Sequence, residues 1–272
     1  ALSSAASDVY KRQMVSGMGT IAGSVMGTYI GMLGGTDPAA KVLFATHLLS
    51  ASVMAVPGSI VLAKMLCPQT EEATDHVAIS GKEKENSNIL DAISSGTVTG
   101  VKLMTNIAAM LLVFISLVAL ANYITEGVIG RYTGLNDWIV KITDGKAQGL
   151  TFQFILGVIT SPFMWLIGVP SQDIMLVGSL LGQKTILNEF VAYFQLQQWK
   201  DAGLFMYEKS ILMSTYILCG FANISSIGIL LGGLGVLAPE KRGLISRIGL
   251  PAMIGGALVS VLSATIIGMI LG

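Results

Sequence analysis

The sequence is short of charged residues. Asp, Glu, Lys and Arg make up only 12% of its 272 residues, whereas an ordinary soluble domain carries about 25%. The formal net charge is zero, so nothing in the composition favours nucleic acid or another highly charged partner. Instead, 53% of the residues are hydrophobic and the mean hydropathy is +0.72. This composition indicates a protein that lies in a lipid bilayer.

Cysteine and histidine are equally scarce, with two residues of each. Cys67 and Cys219 are far apart and lie in apolar sequence, so we interpret both as buried free thiols. His47 and His76 are isolated, and no zinc-ligand spacing occurs. The sequence therefore predicts neither a disulfide framework nor a zinc site.

Glycine, by contrast, is abundant at 32 residues, as expected where helices pack closely or break inside a membrane. Helices of roughly 20 apolar residues are needed to cross about 30 Å of hydrocarbon. Five regions meet this requirement, namely 14–35, 42–66, 103–125, 210–238 and 244–271.

A sixth apolar region, 147–193, is interrupted in its middle. It carries no charge from Ala147 to Gln172 and is broken at Gly168 and Pro170. Two half-length arms around such a tip are typical of a re-entrant hairpin. Non-helical backbone is tolerated at that depth only where protein buries it or where it lines a cavity.

Two short blocks resemble each other and indicate an internal repeat. Gly19–Gly27 and Gly220–Gly228 both begin and end with glycine, and both hold small and hydroxyl residues inside a long apolar run. Paired broken segments in the two halves of a transporter point to a binding site at the bilayer midplane.

Glu189 is the outstanding ionisable residue, at the end of a hairpin arm. Burying an acid in a membrane is costly unless it is paired, so this residue is a functional hypothesis by default. The alternative is that the arm has reached the interface and Glu189 is solvated. Lys184 lies five residues earlier and is not on the same helical face. We expect it to snorkel to the interface or to pair with a loop.

Asn223 and Ser226 share a helical face inside an uncharged run of residues, 210–239. They suit a polar solute, and Phe221 beside them could stack on a flat ring. The alternative is that Asn223 and Ser226 bond neighbouring helices.

Thr20 and Ser24 also share a face, within glycine-rich sequence where a helix can unwind. Freed carbonyls and a hydroxyl are suitable ligands for a small cation, although tight packing would also explain the glycines. A carboxylate, a carboxamide, a hydroxyl and an aromatic face together fit a nucleoside. Sugars and amino acids remain open on chemistry alone.

At these residues the sequence resembles the concentrative nucleoside transporters. The resemblance runs from about residue 14 to the end of the chain, with order and spacing kept. The matching motifs are TIAGSV (20–25), HLLSASVM (47–54), GVPS (168–171), LNEFVA (187–192) and FANISSIG (221–228).

The resemblance implies a homotrimeric symporter, not an enzyme, that couples nucleoside uptake to a cation, with sodium favoured over protons. It needs no cofactor beyond this coupling ion. The substrate site would move like an elevator against a scaffold helix, and the protein would lie in the plasma membrane, or the inner membrane of a bacterium. By position, the implied substrate residues are Glu189, Asn223, Ser226, Phe221 and Val25, and the implied sodium ligands are Thr20 and Ile21.

The predicted fold is an all-α polytopic membrane protein with transmembrane helices, one re-entrant hairpin and unwound helices, forming half of an inverted-repeat transporter. Its Lys and Arg distribution favours a cytoplasmic start. The predicted parts are a non-native leader (1–13), two transmembrane helices with the first unwound (14–66), a cytoplasmic linker with an interfacial helix (67–102), a scaffold helix (103–125), an external loop (126–146), the hairpin (147–193), and two transmembrane helices with the first broken at 221–226 (194–272).

The resemblance also implies that the family's first hairpin, with its Gly-Gln-Thr-Glu signature, and the spans before it are absent from this chain. We therefore expect a fragment that does not transport by itself, and the choice between purines and pyrimidines stays open. Two alternatives also remain. One is an inverted-repeat transporter for another small polar solute, and the other is a structural membrane subunit that transports nothing.

Overall fold

The protein is mostly helical in the part that the structure, a computed structural model, describes. The described residues are 13–66, 88–143, 145, 147–237 and 242–272, and they contain no strand. The all-α class predicted from the sequence is thereby confirmed. In chain order the helices are α1 (13–19), α2 (Gly23–Gly34), α3 (Pro38–Leu66), α4 (Ile89–Asn122), a π-helix (Tyr123–Gly130), α5 (Arg131–Thr133), α6 (Leu135–Ile142), α7 (Phe152–Leu166), α8 (Ile174–Ile186), α9 (Glu189–Asp201), α10 (Glu208–Leu218), α11 (Ile224–Leu237) and α12 (Arg242–Leu271).

Two helical segments are interrupted at the two glycine-flanked blocks, so the unwound helices of the predicted fold are present. Non-helical backbone at 20–22 separates α1 from α2, and 219–223 separates α10 from α11. The second break ends earlier than the predicted range 221–226. The reason is a helix cap: Asn223 Oδ1 accepts the Ser226 backbone N–H at 2.8 Å, which allows α11 to begin at Ile224.

Helices α7 and α8 form the hairpin. Glycine lets their backbones approach, since a Cβ at Gly182 would lie 2.5 Å from Leu156 Cβ. The tip turns through Gly168, whose φ of 84° favours glycine. Buried Asp173 fastens the tip to the start of α10 by accepting the backbone N–H of Tyr207 at 3.1 Å.

The hairpin is shorter than the predicted range 147–193. Helix α8 ends at Ile186, and α9 is a separate helix. Asn188 starts α9 as its N-cap, because its Oδ1 accepts the Val191 backbone N–H at 2.9 Å. Glu189 is therefore the first residue of a new helix, not the end of a hairpin arm.

The segment between α3 and the hairpin also differs from the prediction. The expected interfacial helix and scaffold helix form one helix, α4, because Asn88 caps its start and no proline interrupts the chain before Asn122. The expected external loop 126–146 is mostly helical. The Asn136 side chain stabilises this segment by donating to the Glu126 carbonyl and accepting the Leu150 backbone N–H.

The apolar residues divide between a core and an outer surface. One buried cluster joins α2, α3, the hairpin, α9 and α10, and another joins α1, α3 and α12. Helices α3, α4 and α12 also expose large apolar side chains, including Val53, Leu112 and Met269. By length and composition, Pro38–Leu66 and Gly243–Leu271 could each cross a bilayer.

Parts of the predicted organisation lie outside the described residues. They are residues 1–12 of the predicted leader, residues 67–87 of the predicted linker with Cys67 and His76, residues 144 and 146 of the predicted external loop, and residues 238–241 of the last predicted part. Cys219 is described and is a buried free thiol.

Candidate functional site

The two breaks meet at one point inside the molecule. Gly220, in the second break, lies against the end of α1, where an added Cβ would be 3.0 Å from the Met18 carbonyl oxygen and 3.2 Å from that of Gly19. Ser260 of α12 contacts the second break at the same place, because its Oγ donates to the Cys219 carbonyl at 3.2 Å. The two repeat blocks are therefore in direct contact.

Glu189 is buried beside the second break, with only 3% of its surface exposed. The Tyr29 hydroxyl donates to its Oε1 at 3.2 Å, and Asn223 Nδ2 donates to its Oε2 at 3.0 Å. Both carboxylate oxygens thus have a donor from another helix or break. This geometry replaces the solvated alternative with a buried, hydrogen-bonded acid.

Asn223 has its carboxamide orientation fixed by its neighbours. Its Oδ1 accepts the hydroxyls of Ser225 at 2.6 Å and Ser226 at 2.9 Å, in addition to the capping N–H of Ser226. These three donors require an acceptor at Oδ1, which leaves the amide nitrogen to point at Glu189. The structure therefore joins Glu189, Asn223 and Ser226 in one buried network.

Tyr29 belongs to this network and was not among the residues predicted from the sequence. Its ring stacks on that of Tyr193 with centroids 4.1 Å apart, and the Tyr193 hydroxyl donates to the Thr215 carbonyl at 2.8 Å. A tyrosine inside an apolar run must find a partner for its hydroxyl when it is buried. That requirement is the sequence signal that could have identified Tyr29.

Phe221 and Val25 lie against the apolar core. Both are partly buried and pack against the core cluster that contains Tyr29 and Tyr193. Phe221 lies in the second break, whereas Val25 lies in the first turn of α2. Both therefore pack on the same cluster as Tyr29, which donates to Glu189.

Thr20 and Ile21 lie in the first break, between α1 and α2. Ile21 is buried and Thr20 is partly buried. The end of α1 presents backbone carbonyls there, and the ends of broken helices together with a hydroxyl form a donor set suited to sodium. In the described part of the chain, no group of His, Cys, Asp or Glu side chains is arranged to hold a metal ion.

Lys184 corrects another expectation, because it does not snorkel. Its side chain is 0% exposed, and its Nζ donates to the Ile217 carbonyl at 2.7 Å and to Ser260 Oγ at 2.9 Å. Its partners lie on α10 and α12, far from it in sequence. The ammonium is thus fixed beside the second break.

The family follows from a comparison with known sequences. Residues 47–268 match the family described as "Na+ dependent nucleoside transporter C-terminus". The chain belongs to this family. The resemblance to the nucleoside transporters is confirmed, and the family's members are membrane transporters, not enzymes.

Individual members of the family match nearly the whole chain. An uncharacterized transporter of Haemophilus influenzae is 39% identical over 262 residues, covering 95% of this chain and 58% of that protein. Sodium/nucleoside cotransporter 1 of Rattus norvegicus is 38% identical over 271 residues, covering 94% of this chain and 38% of that protein. The structure of CNTnw in an inward-facing substrate-bound state has a TM-score of 0.76 at 33% identity, covering 98% of this chain and 58% of that one.

The chain spans only part of the length of these relatives. It spans 58% of the Haemophilus transporter and 38% of the rat nucleoside transporter. The structural match to CNTnw spans 58% of that transporter.

Proposed function

We propose that this chain carries part of the substrate site of a sodium-coupled nucleoside symporter. The observation that carries the proposal is the buried Glu189 carboxylate, which Tyr29 and Asn223 approach from two other parts of the fold. Burying an acid at membrane depth costs free energy, so an acid at this position is expected to bind a ligand. Family membership indicates that the ligand is a nucleoside.

The chemistry of the network suits a ribose. Two adjacent hydroxyls can donate to one carboxylate, and such charge-assisted hydrogen bonds are stronger than neutral ones. The donors that now occupy Glu189, from Tyr29 and Asn223, would be exchanged for ribose hydroxyls. Asn223 and Ser226 would then contact the ribose as well.

Two partly buried apolar residues suit contact with the nucleoside. Phe221 offers an aromatic face near the ribose residues, and Val25 offers an aliphatic contact from α2. Both pack on the cluster around Tyr29. We assign Val25 to the base and Phe221 to the vicinity of the ribose.

Sodium would bind at the first break, with Thr20 and Ile21 giving oxygens. Contact between the breaks supplies a physical route for coupling, because Gly220 of the second break lies against the carbonyls of Met18 and Gly19. An ion that orders the end of α1 would therefore also order the break that holds Asn223. Coupling requires such a shared element whose state both ligands influence.

The same proposal covers assembly and location. The protein would be a homotrimer in the plasma membrane, or in the inner membrane of a bacterium. The site would move like an elevator against α4 as the scaffold. These features rest on membership of the concentrative nucleoside transporters.

The proposal predicts sodium-driven uridine accumulation. Cells that express the chain within its longest open reading frame should concentrate radiolabelled uridine. One sodium ion per nucleoside at about −100 mV gains about 2.3 kcal/mol, which corresponds to roughly 50-fold accumulation from the potential alone. Replacing sodium by choline should abolish this accumulation. Absence of nucleoside uptake contradicts the proposal, and uptake driven only by a pH gradient contradicts its sodium part.

Asn223→Asp tests the amide donor while keeping the cap. An aspartate can still accept the Ser226 N–H and cap α11, but it replaces the donor to Glu189 with a second acceptor. We expect uridine uptake per protein at the cell surface to fall about tenfold or more, because the aspartate cannot donate a hydrogen bond and its charge would repel that of Glu189. The same repulsion should lower the thermal midpoint of the purified protein.

Asn223→Ala is the control for this experiment. It removes the cap as well as the donor, so it should lower the thermal midpoint together with uptake. Full uptake by the aspartate variant would show that the amide donor of Asn223 is not used in transport.

A further inference from the structure

A buried ammonium lies at the second break, outside the residues assigned to nucleoside or sodium. Lys184 Nζ donates to the Ile217 carbonyl at 2.7 Å and to Ser260 Oγ at 2.9 Å. Helix α10 ends at Leu218, so the Ile217 carbonyl is among the last acceptors of that helix, which have no partner within it. The C-terminal end of a helix carries partial negative charge, so the end of α10 favours a cation at this position.

The surroundings of Lys184 Nζ are those of a small-cation site. The end of a helix carries partial negative charge, and the end of α10 meets the end of α1 here, because Gly220 lies against the Met18 carbonyl. Ser260 Oγ, which accepts from Lys184, also donates to the Cys219 carbonyl at 3.2 Å. Carbonyls at broken helix ends and a hydroxyl are the ligands that transporters present to sodium.

We propose that Lys184 is a tethered cation that occupies this carbonyl and hydroxyl pocket in place of a free sodium ion. Removing its side chain should convert the pocket into a sodium site. The inference rests on the proposed function, because it assumes a symporter that takes one sodium ion at the first break. Lys184 acts as a positioning residue: it holds the second break, and with it Asn223, without an exchangeable ion.

Two variants that both remove the charge test this inference. Lys184→Ala leaves the pocket vacant, whereas Lys184→Met fills much of the same space with an apolar chain. In the alanine variant, the Hill coefficient for sodium should rise from about 1 toward about 2, because the coefficient can reach the number of coupled sites. The charge moved per uridine should rise by one. The methionine variant should show neither change.

A second readout does not depend on transport. The thermal midpoint of the purified protein is measured in sodium chloride and in choline chloride. Sodium should raise the midpoint of Lys184→Ala more than that of the wild type, since a ligand that binds only the folded state stabilises it. It should not do so for Lys184→Met. Adding Ser260→Ala to Lys184→Ala should weaken the gain, because it removes the hydroxyl ligand.

The outcome that overturns the inference is equal behaviour of the alanine and methionine variants in sodium, including equal failure of both to fold. In that case Lys184 would serve only packing. Failure of the proposed function is seen separately, as a wild-type protein that shows no sodium-dependent uptake.

Discussion

Uridine uptake should fall at least about 100-fold in Glu189→Gln, while the amount of protein in the membrane stays unchanged. Glutamine has nearly the shape of glutamate but presents an amide nitrogen where the second carboxylate oxygen was. In the free protein, the donor from Tyr29 or Asn223 would then face the new amide donor. In the complex, a ribose hydroxyl would face it. Two hydrogen bonds to a charged group, at about 1.5–3 kcal/mol each, amount to this factor or more.

Glu208→Gln is the matched control, because it makes the same chemical change at an exposed acid in the first turn of α10. It should leave uptake at the wild-type rate. Initial rates are measured at fixed sodium and normalised to protein at the cell surface. Full uptake by Glu189→Gln would overturn the ribose assignment. Loss of uptake together with loss of the protein would support the alternative in which the acid only joins helices.

Gly220→Ala should destabilise the protein strongly, although it adds a single methyl group. The new Cβ would lie 2.7 Å from Ser260 Oγ and 3.0 Å from the Met18 carbonyl oxygen. Overpacking of this kind costs about 1–3 kcal/mol, and here it would also displace the hydroxyl that binds Lys184 Nζ. We expect the thermal midpoint to fall by about 2–12 °C, and uptake to fall with it.

Gly228→Ala provides the control from the other end of the same repeat block. A Cβ at Gly228 meets nothing within 4 Å, and alanine favours a helix over glycine by up to about 1 kcal/mol. Its thermal midpoint should therefore equal or exceed that of the wild type. Similar midpoints for the two variants would show that the crossing of the breaks is not tightly packed.

The glycine blocks and the hairpin tip illustrate what could be predicted from the sequence. An apolar run of membrane length that contains Asn223 and Ser226 must satisfy these groups within the protein, which predicts a broken helix. Gly168 and Pro170 likewise interrupt an uncharged apolar run, and both residue types disfavour a continuous helix. Backbone preferences act over a few residues, so a one-dimensional pattern suffices to locate such breaks.

Boundaries were harder to predict where two signals competed. Asn188 followed by Glu189 is an N-cap signal for a new helix, but the apolar residues around it suggested a continuing arm. The sequence around Asn136 does not indicate that this residue joins the π-helix to the segment before α7. Such contacts depend on the tertiary packing of the chain.

By itself the sequence determined the membrane class, the helical content, the two breaks and the residues around them, because hydropathy and backbone preferences are local. Only the tertiary structure decided that Tyr29 and Asn223 share the carboxylate of Glu189, that the two breaks touch at Gly220, and that Lys184 lies at the end of α10. The hydrogen bonds among these contacts join residues from 33 to 160 positions apart, and Gly220 and Met18 are farther apart still along the chain. Burial leaves each polar group in need of a partner, but packing alone selects which partner it finds.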